Sequence, residues 1–139
     1  MKTYNCSILD LLNKDNNILV FGSNTQGKHG AGVAKIALLN CKAKYGEPKG
    51  LQGTSYAIIT KDLTKSNHPS IDKEYIIEQI QNLYNFALDN SQYNFIIPYN
   101  TQNKNLNYYT AQDMADMFNR NFIPDNIIFE EEFSKLIKK

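Results

Sequence analysis

The feature of this sequence that most limits its fold is an alternation of short apolar runs with longer segments of helical spacing. Apolar, aromatic and β-branched residues predict strands at 18–21, 55–60, 93–97 and 126–129. Apolar positions three or four residues apart predict the intervening helices. Strands separated by helices connect through right-handed crossovers, so we predict a three-layer α/β/α fold with a largely parallel mixed sheet.

The predicted helices differ in how clearly the sequence marks them. A short helix over residues 8–12 is expected behind a Ser7 cap, and Ser70 is the expected cap of the strongest helix, which runs to Leu88. Thr110 with Asp113 predicts the start of a third helix, and the tail from residue 130 reads as a fourth. The segment 32–40 is apolar nearly all round, which predicts a deeply packed helix.

Length and charge narrow the classes of protein. The chain has 139 residues and a formal net charge of +1, so we expect one domain, residues 1–139, which does not coat nucleic acid or a membrane surface. Arg120 is the only arginine, so a bound phosphate is not held by an arginine fork. Cys6 and Cys41 are expected as free, buried thiols, and the chain as a cytoplasmic monomer without a membrane segment.

Three predicted strand ends point to a binding site. A glycine-rich loop, residues 22–32, joins the first predicted strand to a helix, and residues 60–62 and 98–105 follow two other strands. Loops after parallel strands meet at one edge of the sheet, where free backbone N–H groups bind ligands. The loop has neither the Gly-Lys-Ser/Thr of a nucleotide triphosphatase nor the G-x-G-x-x-G of a dinucleotide-binding fold. A tight connection that needs glycine only for packing is the alternative.

The strings FGSNTQGKHGAGVAKIAL and GLQGTSYAIITKD resemble the macro domain family, and most of all its small single-domain members from bacteria and phages. The resemblance implies that the chain binds ADP-ribose, with Asn24 at the distal ribose and residues 30–33 around the diphosphate. The sequence departs from the family at residues 6–8, which lack the aspartate that binds adenine. The third loop, residues 100–109, also lacks the usual glycines.

The candidate residues follow from these loops and from the resemblance. Lys61, Asp62 and His29 are the catalytic candidates, since an amine, a carboxylate and an imidazole can exchange protons. The predicted ligand-binding residues are Gly22, Ser23, Asn24, His29, Gly30, Ala31, Gly32, Val33, Thr60, Tyr99, Asn100, Thr101, Asn103 and Asn105.

Each candidate also has a simpler interpretation. In this interpretation, Asn24 is a turn residue that hydrogen-bonds to its own backbone, and His29 is an exposed side chain with no chemical role. Lys61 and Asp62 form a solvated ion pair, and His68 lies on the surface. Tyr108 and Tyr109 stack on a base or ribose, or simply pack. Histidine and cysteine spacing predicts no metal site, and no cofactor is expected.

Two functions stay open at this point. The first is binding of ADP-ribose or a related NAD-derived nucleotide, with sensing or sequestration of an ADP-ribose-containing signal. The alternative is an ADP-ribosyl hydrolase that removes ADP-ribose from protein or nucleic acid. A module that binds nucleic acid for itself is disfavoured by the near-neutral charge.

Overall fold

Six strands form one sheet in the part of the chain that the computed structural model describes, residues 1–99 and 108–137. The strands are β1 Lys2–Tyr4, β2 Asn17–Asn24, β3 Gly50–Gln52, β4 Ser55–Lys61, β5 Asn94–Ile97 and β6 Ile127–Glu130. Their order across the sheet is β1-β6-β5-β2-β4-β3. Neighbours pair in parallel except β3 and β4, which are antiparallel.

Within the described residues, three helices and a short 3-10 helix, Ile8–Asp10, connect these strands, and a fourth helix follows β6. The helices are α1 Gly32–Asn40, α2 Lys73–Asp89, α3 Ala111–Phe118 and α4 Glu131–Ile137. The predicted three-layer α/β/α class is confirmed. The prediction missed β1 and β3, because three-residue strands are too short to show a hydrophobic period.

The helix starts correct one prediction and confirm another. Asp72, not Ser70, caps α2 by accepting the amide hydrogen of Tyr75. Thr110 and Asp113 form the expected capping box at α3, each bonding the backbone of the other.

The side chains of β2 alternate between two cores. Ile18 and Val20 join a large cluster with residues of α2, α3 and α4, whereas Leu19 and Phe21 join a smaller cluster under α1. Because successive strand residues point to opposite faces, the two clusters lie on opposite sides of the sheet.

Helix α1 is not deeply packed, contrary to the prediction. Ala37 is its only fully buried residue, and Leu39 is 69% exposed. An apolar helix becomes buried all round only if other elements cover its outer side. In residues 1–99 and 108–137 none does so for Leu39.

The chain changes direction between β2 and β5. From β2 it passes through α1 to β3 and β4 on one side, and from β5 it passes through α3 to β6 on the other. Pairing of β2 with β5 ends at Leu19, while pairing with β4 continues to Asn24. In such folds, loops that diverge from adjacent strands form a crevice at the carboxyl edge of the sheet, the usual ligand position, so we call this edge between β2 and β5 the crevice.

Candidate functional site

The start of α1 is open at this carboxyl edge. Its N-cap residue, Ala31, makes no side-chain hydrogen bond, and the first turn has no acidic residue. Just before it, Gly30 is exposed, and a Cβ atom added there would meet nothing within 4 Å. A helix N-terminus carries a partial positive charge and amides that lack intrahelical acceptors. This end of α1 can therefore accept an anion.

Asn24 organises the loop that leads to α1. Its Oδ1 accepts the amide hydrogens of Gln26 at 3.2 Å and Lys28 at 2.9 Å, and its Nδ2 donates to the Lys28 carbonyl at 2.8 Å. These bonds are those of the simpler interpretation, a turn residue. An amide nitrogen has two hydrogens, so one remains for a ligand.

The ends of β2 and β4 are joined at the crevice. The Thr25 amide donates to the Lys61 carbonyl at 3.0 Å, and the Thr25 hydroxyl donates to Asp62 Oδ1 at 3.2 Å. The same Asp62 oxygen accepts from the Thr64 hydroxyl at 2.6 Å and the Thr64 amide at 2.9 Å. These bonds, with the Thr64 hydroxyl first, lower the pKa of Asp62. Asp62 is an ionised acceptor near neutral pH and a poor proton donor.

Lys61 and Asp62 do not form the ion pair of the simpler interpretation. Among the described residues, Lys61 has no salt-bridge partner; its Nζ lies 5.3 Å from the centre of the Tyr108 ring. The ammonium therefore faces an aromatic surface from the third loop, which is a favourable cation–π position.

His68 lies at the same edge, although the sequence placed it on the surface. Its ring stacks on Tyr108 with centroids 4.7 Å apart, and its Nδ1 lies 3.1 Å from Ser70 Oγ. Ser70 Oγ also accepts the Asp62 amide hydrogen at 2.8 Å. No local motif marks His68; only its position in the loop after β4 could have placed it here.

The surroundings of His29 contradict both interpretations of this residue. The residue is 0% exposed, its ring packs edge-on against Phe21, and its Nε2 lies 3.1 Å from the Glu47 carbonyl oxygen. A ring enclosed in this way is neither an exposed histidine nor a base that reaches a ligand. Nothing in the local sequence links His29 to the segment around Glu47, which contacts its ring from 18 residues further along the chain.

The tyrosines are divided between the core and the crevice. Tyr99 is half-buried and stacks on Phe133 with centroids 4.2 Å apart, and burial, with a smaller effect of Asp113, raises its pKa. Tyr109 is buried, and its hydroxyl donates to a backbone carbonyl. Tyr108 is 40% exposed, and its ring contacts His68 and Lys61 at the crevice.

Comparison with known proteins bears on the fold. A macrodomain mutant from Oceanobacillus iheyensis superimposes with a TM-score of 0.58 at 12% sequence identity, covering 90% of this chain and 83% of that one. The chain has a macrodomain-like fold. No protein-family model matches the sequence, and no curated protein matches it.

The remaining predicted residues occupy different places in this macrodomain-like fold. Gly22 is exposed near the end of β2, whereas Ser23 and Thr60 are buried, and the Thr60 hydroxyl donates to the Ser23 carbonyl at 3.3 Å. Gly32 and Val33 begin α1. Four predicted ligand residues lie outside the described residues: Asn100, Thr101, Asn103 and Asn105.

Two other predictions concern metals and membranes. In the described part of this macrodomain-like chain, no three His, Cys, Asp or Glu side chains are grouped to hold a metal ion. No described helix has the length and hydropathy needed to cross a bilayer. Both cysteines are free thiols, as predicted, but only Cys41 is buried; Cys6 is exposed, contrary to the prediction.

Proposed function

We propose that the chain binds ADP-ribose or a related NAD-derived nucleotide in the crevice at the carboxyl edge of the sheet. One observation carries the proposal. The exposed Gly30 and the uncapped start of α1 leave open a positively polarised group of amides at the point where the chain changes direction. A diphosphate matches this site because it offers several anionic oxygens to backbone donors.

Other groups suit the rest of such a ligand. The second hydrogen of Asn24 Nδ2 can donate to a ribose oxygen. Asp62 bonds its neighbours through Oδ1, so Oδ2 is left for a ribose hydroxyl. Gly22 has no side chain to obstruct the approach. The proposal assigns binding to backbone amides and to these few side chains.

Calorimetry with ADP-ribose, using a substitution that does not disturb the protein itself, tests the proposal. Gly30→Val fills space that no protein atom occupies, whereas Gly32 has φ +58 and tolerates no side chain without strain. We expect Gly30→Val to abolish the binding heat at concentrations that saturate the unchanged protein. Ser91→Val, at an exposed position before β5, is the control and should bind normally. Equal binding by both variants would exclude this position for the diphosphate.

Hydrolysis of an ADP-ribosyl bond on protein or nucleic acid is the second candidate. The observation that favours it is His68, an imidazole at the crevice, oriented by Ser70 and stacked on Tyr108. Imidazole is the side chain that exchanges protons near neutral pH. Release of free ADP-ribose from a modified protein, lost in His68→Ala while binding remains, would establish the hydrolase; binding without release establishes the binder.

A further inference from the structure

The loop before α1 rests on a second segment, residues 44–52, which we call the bracing segment. The Gly46 amide donates to the Gly27 carbonyl at 2.8 Å. A Cβ atom on Gly27 would lie 2.5 Å from the Gly46 carbonyl carbon, and Gly27 has φ +67. The two backbones therefore approach so closely that only glycine fits at position 27.

Two buried side chains fasten the loop and the bracing segment to one carbonyl. His29, at 0% exposure, and Gln52, at 1%, both approach the Glu47 carbonyl oxygen, through His29 Nε2 at 3.1 Å and Gln52 Nε2 at 2.7 Å. A carbonyl only accepts, so His29 Nε2 is the donor. Gln52 Oε1 accepts the Lys44 amide hydrogen at 2.8 Å, which closes the bracing segment on itself.

The end of the bracing segment also leads to the far end of α1. The Thr54 amide donates to the Cys41 carbonyl, the C-cap of α1, at 2.9 Å. Gly53 lies so close to this turn that an added Cβ would be 2.6 Å from the Cys41 oxygen. The continuous stretch from Lys44 to Thr54 therefore fixes the approach to α1 at one end and its last turn at the other.

We infer that His29 and Gln52 are positioning residues, which hold the amides of residues 30–33 in the arrangement that binds the anion while touching no ligand themselves. The bonds of Asn24 shape the loop from within, and Thr25 ties its start to β4, whereas His29 and the bracing segment hold the end of the loop next to residues 30–33. A preformed loop binds more tightly because ordering it costs nothing at the moment of binding. The inference rests on the proposed function only for the identity of the ligand.

The main test is His29→Phe, which keeps an aromatic ring against Phe21 and removes the donor to Glu47. Hydrogen exchange of the hydrogen-bonded amides of Gly27, Lys28 and Gly46 is measured without ligand, and the ADP-ribose dissociation constant by calorimetry. Losing one buried hydrogen bond should raise both the exchange rates and the dissociation constant about five- to tenfold. The control is Asn126→Ala, which removes bonds from a side-chain amide to the Ala87 and Tyr93 carbonyls; it should lower the melting temperature and change neither quantity.

Chemical rescue separates the missing donor from the missing ring. In His29→Ala, added imidazole supplies an N–H donor of the right shape, whereas thiazole fills similar space without an N–H group. Imidazole should restore slow exchange at the amides of Gly27, Lys28 and Gly46, and thiazole should not. Equal effects of the two compounds would show that His29 acts by filling space alone.

Each result of these experiments either supports or overturns the inference. Unchanged exchange and unchanged affinity in His29→Phe overturn the inference. If the unchanged protein does not bind ADP-ribose, the proposed function fails, and the exchange measurement still tests the positioning role. Should His29→Phe not fold, Gln52→Met removes the other donor to Glu47, and normal exchange in that variant overturns the inference.

Discussion

The two faces of the sheet are built differently. On one face, α2, α3 and α4 cover a large cluster that contains the fully buried Leu83, Phe95 and Phe133. On the other face, α1 covers a small cluster and leaves Leu39 exposed. The stability of the fold therefore comes mainly from the first face, because hydrophobic stabilisation scales with the apolar area removed from water.

The helix starts show the same division. Asp72 caps α2, and Thr110 and Asp113 cap α3, but no side chain caps α1. A missing cap costs stability and leaves amides available to a ligand. The candidate site therefore lies on the weakly packed face, at the start of α1, which unlike the starts of α2 and α3 has no side-chain cap.

A matched pair of leucine substitutions should give the largest difference between the faces. Leu83→Ala removes a side chain with 0% exposure from α2 and should lower the free energy of unfolding by about 2–5 kcal/mol. Leu39→Ala on α1 should change it by less than about 0.5 kcal/mol. Urea denaturation measures both. Similar losses would contradict the comparison and would show that the outer side of α1 is covered in solution.

Exchanging the caps should give a smaller and more specific effect. Thr110→Ala should lower the free energy of unfolding by about 1 kcal/mol, and Ala31→Asp should raise it by a similar amount, since Ala31 already has the extended backbone of an N-cap. The new carboxylate would also repel a diphosphate, so ADP-ribose should bind at least about tenfold more weakly. Ala31→Asn, an uncharged cap, separates the two effects. Unchanged ADP-ribose affinity in Ala31→Asp would count against binding at this helix end.

Local sequence signals predicted much of the fold. The bounds of α1 and the capping box of α3 could be read directly, because glycine, apolar spacing and the Thr110–Asp113 pair act over a few neighbouring residues. Asp72 was overlooked beside Ser70 because both are good caps, and only the structure shows that Ser70 bonds the Asp62 amide instead.

The site was less predictable because it depends on contacts between distant segments. The position of His29 in a loop suggests an exposed side chain, and only the structure shows that the Glu47 carbonyl and the Phe21 ring enclose it. His68 likewise lies at the crevice because its ring stacks on Tyr108, which is 40 residues further along the chain. Hydrophobic periods carry no information about such pairings, so the sequence predicts a site at this edge of the sheet but not which side chains face it.

The proposed function requires that a nucleotide diphosphate binds at the start of α1. Backbone amide chemical shifts recorded while ADP-ribose is added test it most directly. We expect the largest changes at residues 24–33 and around Asp62, with little change at the opposite edge near Asn17 and Asn94. No change with saturating ADP-ribose, or changes centred on the cavity of about 270 Å³ between α2 and the β3–β4 edge, lined in part by Tyr56 and Tyr75, would contradict binding at the start of α1.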